Sequence, residues 1–478
     1  MLPVLDTVLD SLTFNPICDN LPVREYSRLK RILERMNGMK RLLVALIIVL
    51  AMLVVGCSNK QSTTGKNANG KIELEVASFQ GGFGLDFFEY AAREYEKIHP
   101  NVTIKVWGNP RIWEQLRPRF VAGDVPDLTW PGWDMDVWAL VAEGKVLPMD
   151  KYLDTPAYDQ KMKWKDTFIP SLLTKGMDKG HYYIMPFNNN MFGWWYNVDM
   201  FKKNGWTPPK TYEELLTLCD KIKKTGIAPL TYQGKYPAYM LGGFFFPWAI
   251  SAGGLQAFKD AQNLKPGAWN SPAFLKSAQM IAELRDKGYF ERGAMGMDHT
   301  GSQMEFVLGK AAMIPCGTWL GSEMKKQMPP EFNMEFINPP MLAKGKGDPT
   351  IVSSGVETWI IPADAKHPDE AADFYKFMTS LAMAKKFVER KNTLTSIKGS
   401  DAVKLPKDLI APAKIMRQAK STYSSDYRDW YRTMGKDIES AMAALFTGEV
   451  TPKECVDRME QAAERTRNDK SLPKHTMQ

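Results

Sequence analysis

The sequence predicts an α/β protein in which strands and helices alternate along the chain. At the start of the globular part, Ile72, Leu74 and Val76 alternate with charged residues, which is typical of a strand. Apolar residues at helical spacing follow over residues 87–98, and residues 102–106 alternate again. This order of strand, helix and strand predicts two parallel strands joined by a right-handed crossover.

A second α/β unit lies near the middle of the chain. The aromatic, β-favouring stretch of residues 191–198 predicts a strand. Thr211 and Glu214 have the spacing of a capping box and begin a helix, which Gly226 ends. The unit therefore runs strand, loop, helix and turn into a further strand.

Length and composition indicate a large globular protein with more than one domain. The chain has 478 residues, of which 44% are hydrophobic and 24% charged. Its 14 tryptophans suggest a site that binds by aromatic stacking. The formal net charge of +8 is spread without basic runs, which argues against a nucleic-acid partner.

The first 71 residues predict export and anchoring rather than fold. Residues 39–56 have a charged start and an unbroken apolar run, as in a secretory signal, and the run is short for a membrane span. The end of this run resembles a lipobox, which implies that Cys57 is lipidated; an uncleaved short anchor is the alternative. Residues 1–38 are then an upstream extension outside the translated protein, and residues 57–71 are a flexible tether.

Motifs for catalysis or metal binding are missing from the sequence. The five histidines are isolated, and no His-Glu-x-x-His, Cys-x-x-Cys, Walker A or Gly-x-Ser-x-Gly motif occurs. Beyond Cys57, the three widely spaced cysteines Cys219, Cys316 and Cys455 imply no disulfide framework, and the first and last lie on apolar helical faces. We therefore predict no metal, no cofactor and no enzymatic activity.

Three motifs resemble those of family 1 extracellular solute-binding proteins, the capture components of sugar-importing ABC transporters. The central one runs from Pro186 through Trp195-Tyr-Asn and Pro208-Pro209 to Thr-Tyr-Glu-Glu-Leu at 211–215. The others are Gly-Asp-x-Pro-Asp at 123–127 and Gly-Lys-Ala-Ala-Met at 309–313, the latter followed by Gly-x-Trp. The resemblance covers residues 72–465, and the run at 226–237 is similar to the branch that binds N-acetylglucosamine and diacetylchitobiose.

The resemblance implies a two-lobed, periplasmic-binding-protein-like fold of type II. Each lobe is expected to be a mainly parallel sheet flanked by helices, with a multi-strand hinge between the lobes. Lobe one is predicted to be residues 72–187 with 351–397, and lobe two residues 188–350 with 398–470. The predicted crossings between the lobes lie near residues 187–190, 341–352 and 395–403.

The candidate site lies at the cleft between these lobes. Ligands in open α/β sheets bind beyond the carboxyl ends of the strands, where Trp130, Trp133 and Asp134 follow a predicted strand. Trp138, on the next helix, is predicted to be core. The resemblance adds residues at the crossing and on lobe two, and the full candidate set is Trp130, Trp133, Asp134, Asn190, Trp195, Phe244, Trp248, Trp319, Glu357 and Trp430.

Some of these assignments stay open at the sequence level. A strand presents alternate residues to opposite faces, so Trp194 and Trp195 cannot both face a sugar. Phe244 and Trp248 belong either to a sugar contact or to a buried helix. Gly317 is expected to let Trp319 leave its strand at the cleft.

Two classes of function fit these features. The first is a monomeric lipoprotein on the outer face of a Gram-positive membrane, which traps an oligosaccharide and delivers it to ABC permease subunits. The alternative is a secreted glycoside hydrolase or a carbohydrate-binding module without a transport role. A hydrolase needs two carboxyl groups about 5–10 Å apart, and nothing local marks Asp134 and Glu357 as such a pair. The sequence therefore favours the binding protein.

Overall fold

The computed structural model describes residues 70–477, which fall within one compact unit of the chain. The predicted upstream extension, the signal peptide, Cys57 and nearly all of the tether lie outside the described residues. No single described helix is long and apolar enough to cross a membrane. One bent pair, Ala238–Gly253 with Leu255–Gln262, passes a test of length and composition only.

Strands and helices alternate along the described part of the chain. The strands are β1 (Ile72–Phe79), β2 (Val102–Asn109), β3 (Leu128–Trp130), β4 (Met177–Asp178), β5 (His181–Tyr182), β6 (Met185–Pro186), β7 (Asn188–Asn197), β8 (Ala228–Leu230), β9 (Ala311–Gly317), β10 (Met334–Ile337), β11 (Val352–Gly355), β12 (Thr358–Trp359), β13 (Leu394–Thr395) and β14 (Thr422–Tyr423). The helices are α1 (Asp86–Ile98), α2 (Ile112–Ala122), α3 (Val137–Ala142), α4 (Asp150–Leu153), α5 (Trp164–Thr167), α6 (Pro170–Leu173), α7 (Val198–Asn204), α8 (Tyr212–Lys223), α9 (Ala238–Met240), α10 (Phe246–Gly253), α11 (Leu255–Gln262), α12 (Pro272–Asp286), α13 (His299–Val307), α14 (Leu320–Glu323), α15 (Pro368–Met378), α16 (Leu381–Lys391), α17 (Lys407–Gln418), α18 (Tyr427–Trp430), α19 (Arg432–Thr447) and α20 (Pro452–Asn468).

Lobe one is the part built on a three-stranded parallel sheet of order β2-β1-β3. Ile72 lies opposite Val102 and Val76 lies opposite Leu128, so the alternation read from the sequence gives a parallel pair as predicted. The buried faces of α1, α15 and α16 pack on this sheet in one apolar cluster. A second cluster, formed by α2, α3 and the loop between β3 and α3, completes the lobe.

Lobe two is the part built on a seven-stranded sheet around β7. In this sheet β7 pairs antiparallel with β9, β10, β11 and β13, whereas β8 pairs parallel with β9 and β14 parallel with β11. The two-lobed α/β architecture is confirmed, but the expected mainly parallel sheet holds for lobe one only. The reason is that β7 enters lobe two from lobe one and runs against each of the four strands that it pairs with.

The chain passes between the lobes where short strands meet the start of β7. Asn190 pairs with Gly355, and Asn189 pairs with Leu394, so three chain segments lie side by side at this junction. The second segment leaves the lobe-two sheet only after Gly355, because β11 is still paired with β7 and β14; the predicted crossing at 341–352 was placed too early. These paired segments form the multi-strand hinge.

Local signals read from the sequence fix several helix ends. Thr211 and Glu214 make the reciprocal hydrogen bonds of a capping box at the start of α8. Thr451 and Glu454 do the same for α20. The three described cysteines are free and buried, which confirms Cys219 and Cys455 as core residues.

Candidate functional site

Four aromatic side chains gather at the carboxyl ends of β1 and β3 in lobe one. Phe79 is stacked on Trp113, with ring centroids 6.1 Å apart, and meets Trp130 edge to face at 4.9 Å. Trp133 lies edge to face with Trp130 at 5.6 Å and is 50% exposed. Trp130 itself is buried, so it supports this surface, whereas Trp133 presents a ring to solvent.

The loop between β3 and α3 holds this surface in place. Gly132 has a positive φ of 79°, and a Cβ there would lie 3.0 Å from Trp113 Cε3 and 3.1 Å from Phe79 Cδ2. The side chain of Asp134 is exposed, and its backbone carbonyl accepts a hydrogen bond of 2.5 Å from Arg117. The loop therefore places one aromatic ring and one carboxylate at the edge of lobe one, and contact of Trp133 and Asp134 with a ligand stays a prediction.

A second aromatic cluster lies on lobe two at the end of β9. Trp319 meets Phe192 edge to face at 5.8 Å and Tyr239 at 6.4 Å, and Phe192 meets Tyr239 at 5.4 Å. All three side chains are half-buried. Gly317 is needed here, because a Cβ at that position would overlap the indole of Trp319, which folds back over it.

Trp319 is the candidate residue that bridges the two lobes. Its side chain packs against the apolar cluster around the lobe-one sheet and also against the cluster that contains β9 in lobe two. The interlobe position expected of Trp319 thus agrees with the packing. Its contact with a ligand stays a prediction.

Polar groups without partners line the junction where the chain crosses between lobes. The side chains of Asn188, Asn190 and Glu357 are buried, and each has one polar atom that lacks a hydrogen-bond partner among the described residues. The backbone N–H of Glu357 donates to Asn188 Oδ1 at 2.7 Å. Burial raises the pKa of the Glu357 carboxyl to about 8, so this group is protonated at neutral pH.

A further polar group, the carboxyl of Glu323, lies beyond Trp319 on α14. Glu323 accepts a hydrogen bond of 2.7 Å from Gln303, and its carboxylate is 3.9 Å from His299 Nε2. Desolvation raises the pKa of Glu323 above its usual range. A Cβ on Gly82 of lobe one would lie 2.6 Å from Glu323 Cγ, so the two lobes are also in contact at this end.

Three predicted ligand contacts are wrong because the residues lie in the core of lobe two. Trp195, Phe244 and Trp248 are 0% exposed. The indole of Trp195 donates to the Gly317 carbonyl at 3.0 Å, and that of Trp248 donates to the Pro340 carbonyl at 2.7 Å. Their polar atoms are thus already satisfied by the backbone.

The sequence left open whether Trp194 or Trp195 faces the cleft, and in the structure neither does. Trp194 is also 0% exposed and donates to the Gly243 carbonyl at 2.8 Å. Trp194 packs in the cluster with Phe244, and Trp195 packs on the other face with Phe336. Both faces of β7 are covered at this point.

Trp430 lies between the lobes but its ring is engaged by a residue of this chain. The indole is stacked on the imidazole of His475, with centroids 5.5 Å apart and an interplanar angle of 20°. It also packs against the lobe-one cluster of α2 and α3. Trp138 is buried, as predicted.

Several residues of the aromatic surfaces were absent from the predicted set. Phe192 lies two residues after Asn190 on β7, so the two residues share one face of the strand. The predicted position of Asn190 could therefore have indicated Phe192 as well. Phe79 is the last residue of β1, where the strand-end rule applied to Trp130 would also have found it. Trp113 and Tyr239 reach their positions only through tertiary packing.

Aromatic rings of the kind gathered on each lobe are suited to stacking on flat, weakly polar rings. Within residues 70–477, no group of three or more His, Cys, Asp or Glu side chains could hold a metal ion. Asp134 is exposed at the rim, whereas Glu357 is buried at the crossing, so the two carboxyl groups occupy different environments.

Solved structures share the two-lobed α/β fold of the described residues. A solved structure from work on xylan utilization by Caldanaerobius polysaccharolyticus aligns with a TM-score of 0.70 and 24% identity, covering 82% of this chain and 99% of that one. A solved structure named "Chitin oligosaccharide binding protein" aligns with a TM-score of 0.70 and 20% identity, covering 83% and 98%. At these identities the likeness establishes the fold.

The sequence profile of the family described as "Bacterial extracellular solute-binding protein" matches residues 90–416. The chain belongs to this family, whose members bind substrates. Among curated proteins, the chain is 26% identical over 451 residues to "Diacetylchitobiose binding protein NgcE" of Streptomyces coelicolor. The aligned region covers 89% of this chain and 94% of that protein.

Proposed function

We propose that the protein captures an oligosaccharide built from N-acetylglucosamine and delivers it to the permease of an ABC transporter. The single observation that carries the proposal is the pair of aromatic surfaces on the two lobes, with Trp319 of lobe two packed against an apolar cluster of each lobe. Stacking on aromatic rings is a general way to bind sugar faces. The relative that binds diacetylchitobiose spans nearly the whole chain and supports this choice of sugar.

Capture proceeds by closure about the three-segment junction near Asn190, Gly355 and Leu394. A sugar that touches both lobes stabilises the closed arrangement, because only that arrangement offers all of its contacts. The closed form is the one that the permease subunits recognise. The protein acts as a monomer in this scheme and performs no chemistry on the sugar.

The location follows from the segment before the globular body. We propose that Cys57 carries the lipid and that the tether leads to the body on the outer face of a Gram-positive membrane. The extracellular or periplasmic location of the family supports this placement. Residues 1–38 are proposed to lie outside the mature protein.

Titration calorimetry against a sugar panel tests the proposal. The panel contains N-acetylglucosamine, diacetylchitobiose, triacetylchitotriose, xylobiose, maltose and raffinose. We expect diacetylchitobiose or the trimer to bind most tightly, and chromatography of the mixtures to show intact sugars. Tightest binding to xylobiose or raffinose would contradict the choice of sugar, and hydrolysis of the chito-oligosaccharides would favour the hydrolase alternative.

A further inference from the structure

We propose that Arg432 and His475 form an interlobe clasp, which stabilises the closed arrangement of the lobes by protein–protein contacts alone. The clasp joins lobe two to the β3–α3 loop and to α3 of lobe one. Neither residue belongs to the aromatic surfaces proposed to bind sugar. The inference concerns lobe closure and stands apart from the identity of the ligand.

The first half of the clasp is Arg432, the first residue of α19 in lobe two. Its guanidinium donates to the backbone carbonyl of Trp133 at 2.6 Å and to that of Met135 at 2.5 Å. The same group lies 3.4 Å from the Asp134 carboxylate. One forked, permanently charged side chain thus engages three consecutive residues of the lobe-one loop, which a lysine could not do in the same geometry.

The loop that Arg432 engages is also held from its own side. Arg117 on α2 donates to the carbonyl of Asp134, which lies between the two residues whose carbonyls accept hydrogen bonds from Arg432. The loop is therefore fixed by an arginine from each lobe. Because it carries the exposed ring of Trp133, the clasp also positions that ring when the lobes are closed.

The second half of the clasp is the C-terminal segment after α20, which is fastened to lobe two. The backbone N–H of His475 donates to the Tyr431 hydroxyl at 2.9 Å. Two residues later, Met477 exchanges backbone hydrogen bonds with the side chain of Asn263, at 2.6 and 3.1 Å. These bonds present the His475 side chain to the gap between the lobes.

The imidazole of His475 contacts two indoles, one from each lobe. It stacks on Trp430 of lobe two and lies 5.3 Å from the ring of Trp138 in lobe one. Trp138 is otherwise a core residue of α3, the helix that follows the loop held by Arg432. Both halves of the clasp therefore reach the same short stretch of lobe one.

These contacts form only when the lobes are together, so their free energy shifts the equilibrium toward closure. A sugar then binds a protein that already populates its competent form. The apparent affinity rises in proportion to the fraction of molecules in that form. Arg432 and His475 thus have a positioning role in closure.

The test measures compactness and affinity on the same purified full-length variants. Small-angle scattering gives the radius of gyration, calorimetry with diacetylchitobiose gives Kd, and thermal unfolding verifies that each variant folds. The variants are Arg432→Ala, Arg432→Lys, His475→Ala and the double Arg432→Ala/His475→Ala. The matched control is Arg465→Ala, since Arg465 pairs with Asp437 inside lobe two at 2.7 Å.

We expect the sugar-free double variant to have a larger radius of gyration than the wild type and the control. Arg432→Ala should weaken binding about tenfold, as for loss of charged hydrogen bonds, with Arg432→Lys intermediate. Saturating sugar should restore the wild-type radius. A folded double variant with a wild-type radius without sugar would overturn the clasp. Failure of every protein to bind this sugar would instead overturn the proposed ligand, because the scattering comparison needs no sugar.

Discussion

At the scale of single residues, exposure separates the tryptophans into two kinds. Trp133 presents a ring to solvent and Trp319 is half-buried between the lobes, whereas Trp195 and Trp248 are sealed in the core with their indole N–H groups bonded to backbone carbonyls. Substitution should therefore affect affinity for the first kind and stability for the second.

Trp319→Ala tests this separation. A sugar ring that covers one indole face would bury about 100 Å², worth about 2.5 kcal/mol at about 25 cal/mol per Å². We expect Kd for diacetylchitobiose to rise about 60-fold, with a modest fall in melting temperature. Trp248→Ala is the control, because loss of a core tryptophan costs about 3–5 kcal/mol of stability. An unchanged Kd for folded Trp319→Ala would remove this residue from the site.

Glu357 gives a prediction about pH. Burial raises the pKa of its carboxyl from 4.5 to about 8, so between these pH values the folded state holds a proton that the unfolded state has lost. The free energy of unfolding should therefore fall as pH rises from 5 to 8, relative to a variant without this titration. Above about pH 8 this contribution levels off.

Glu357→Gln is the matched variant, because it keeps the shape and removes the titration. Denaturant unfolding at pH 5 and pH 8 should show the variant gaining on the wild type by up to about 4 kcal/mol over this range. Other groups that titrate in this range cancel in the comparison. A difference between the two proteins that stays constant with pH would contradict the raised pKa.

At the scale of elements, the end of β9 shows how a strand delivers a side chain to the cleft. The strand is buried along its whole length, and Gly317 is the position where the chain makes room for the indole of Trp319. β7 lies beside it and places Phe192 opposite Gly317. The aromatic cluster of lobe two is therefore built by the register of two neighbouring strands.

Gly317→Ala should disturb this cluster without touching the sugar directly. The added methyl group would displace the Trp319 indole, so we expect a loss of affinity similar to that of Trp319→Ala. Gly296→Ala, in the short helical turn of Ala294–Gly296, is the control, since no atom lies within 4 Å of a Cβ there. Calorimetry on both variants tests this. Equal affinities would mean that the indole position does not depend on Gly317.

At the scale of the whole molecule, the described body has two lobes joined at a short junction and touching again at the rims of the cleft. Trp319, Glu323 and Arg432 of lobe two each approach lobe one at different points. A short junction with further contacts at separate rims is the arrangement that capture by lobe closure requires.

Anchoring of the body is tested by Cys57→Ala, because the thiol is the proposed acceptor of the lipid. We expect the wild type to incorporate labelled palmitate and to fractionate with membranes, and the variant to do neither. Wild-type protein found in the medium with residues 1–56 still attached would contradict the lipobox.

A chain that starts at Met39 should be exported as well as one that starts at Met1. Export that depends on the longer start would give residues 1–38 a role.

The sequence by itself determined which residues share a strand or helix face and where several elements begin. The alternation of Ile72, Leu74 and Val76, the capping box at Thr211 and the glycine before Trp319 all have the structures predicted for them. These signals are local, because dihedral preferences, capping bonds and side-chain periodicity act over a few residues.

Only the tertiary structure decided which of those faces are covered. Periodicity places Trp194 and Trp195 on opposite faces of β7, but both faces are packed, one against Phe244 and the other against Phe336. Likewise, Arg432 meets the lobe-one loop about 300 residues away in the chain. Burial depends on what other segments bring to a surface, and local spacing carries no information about that.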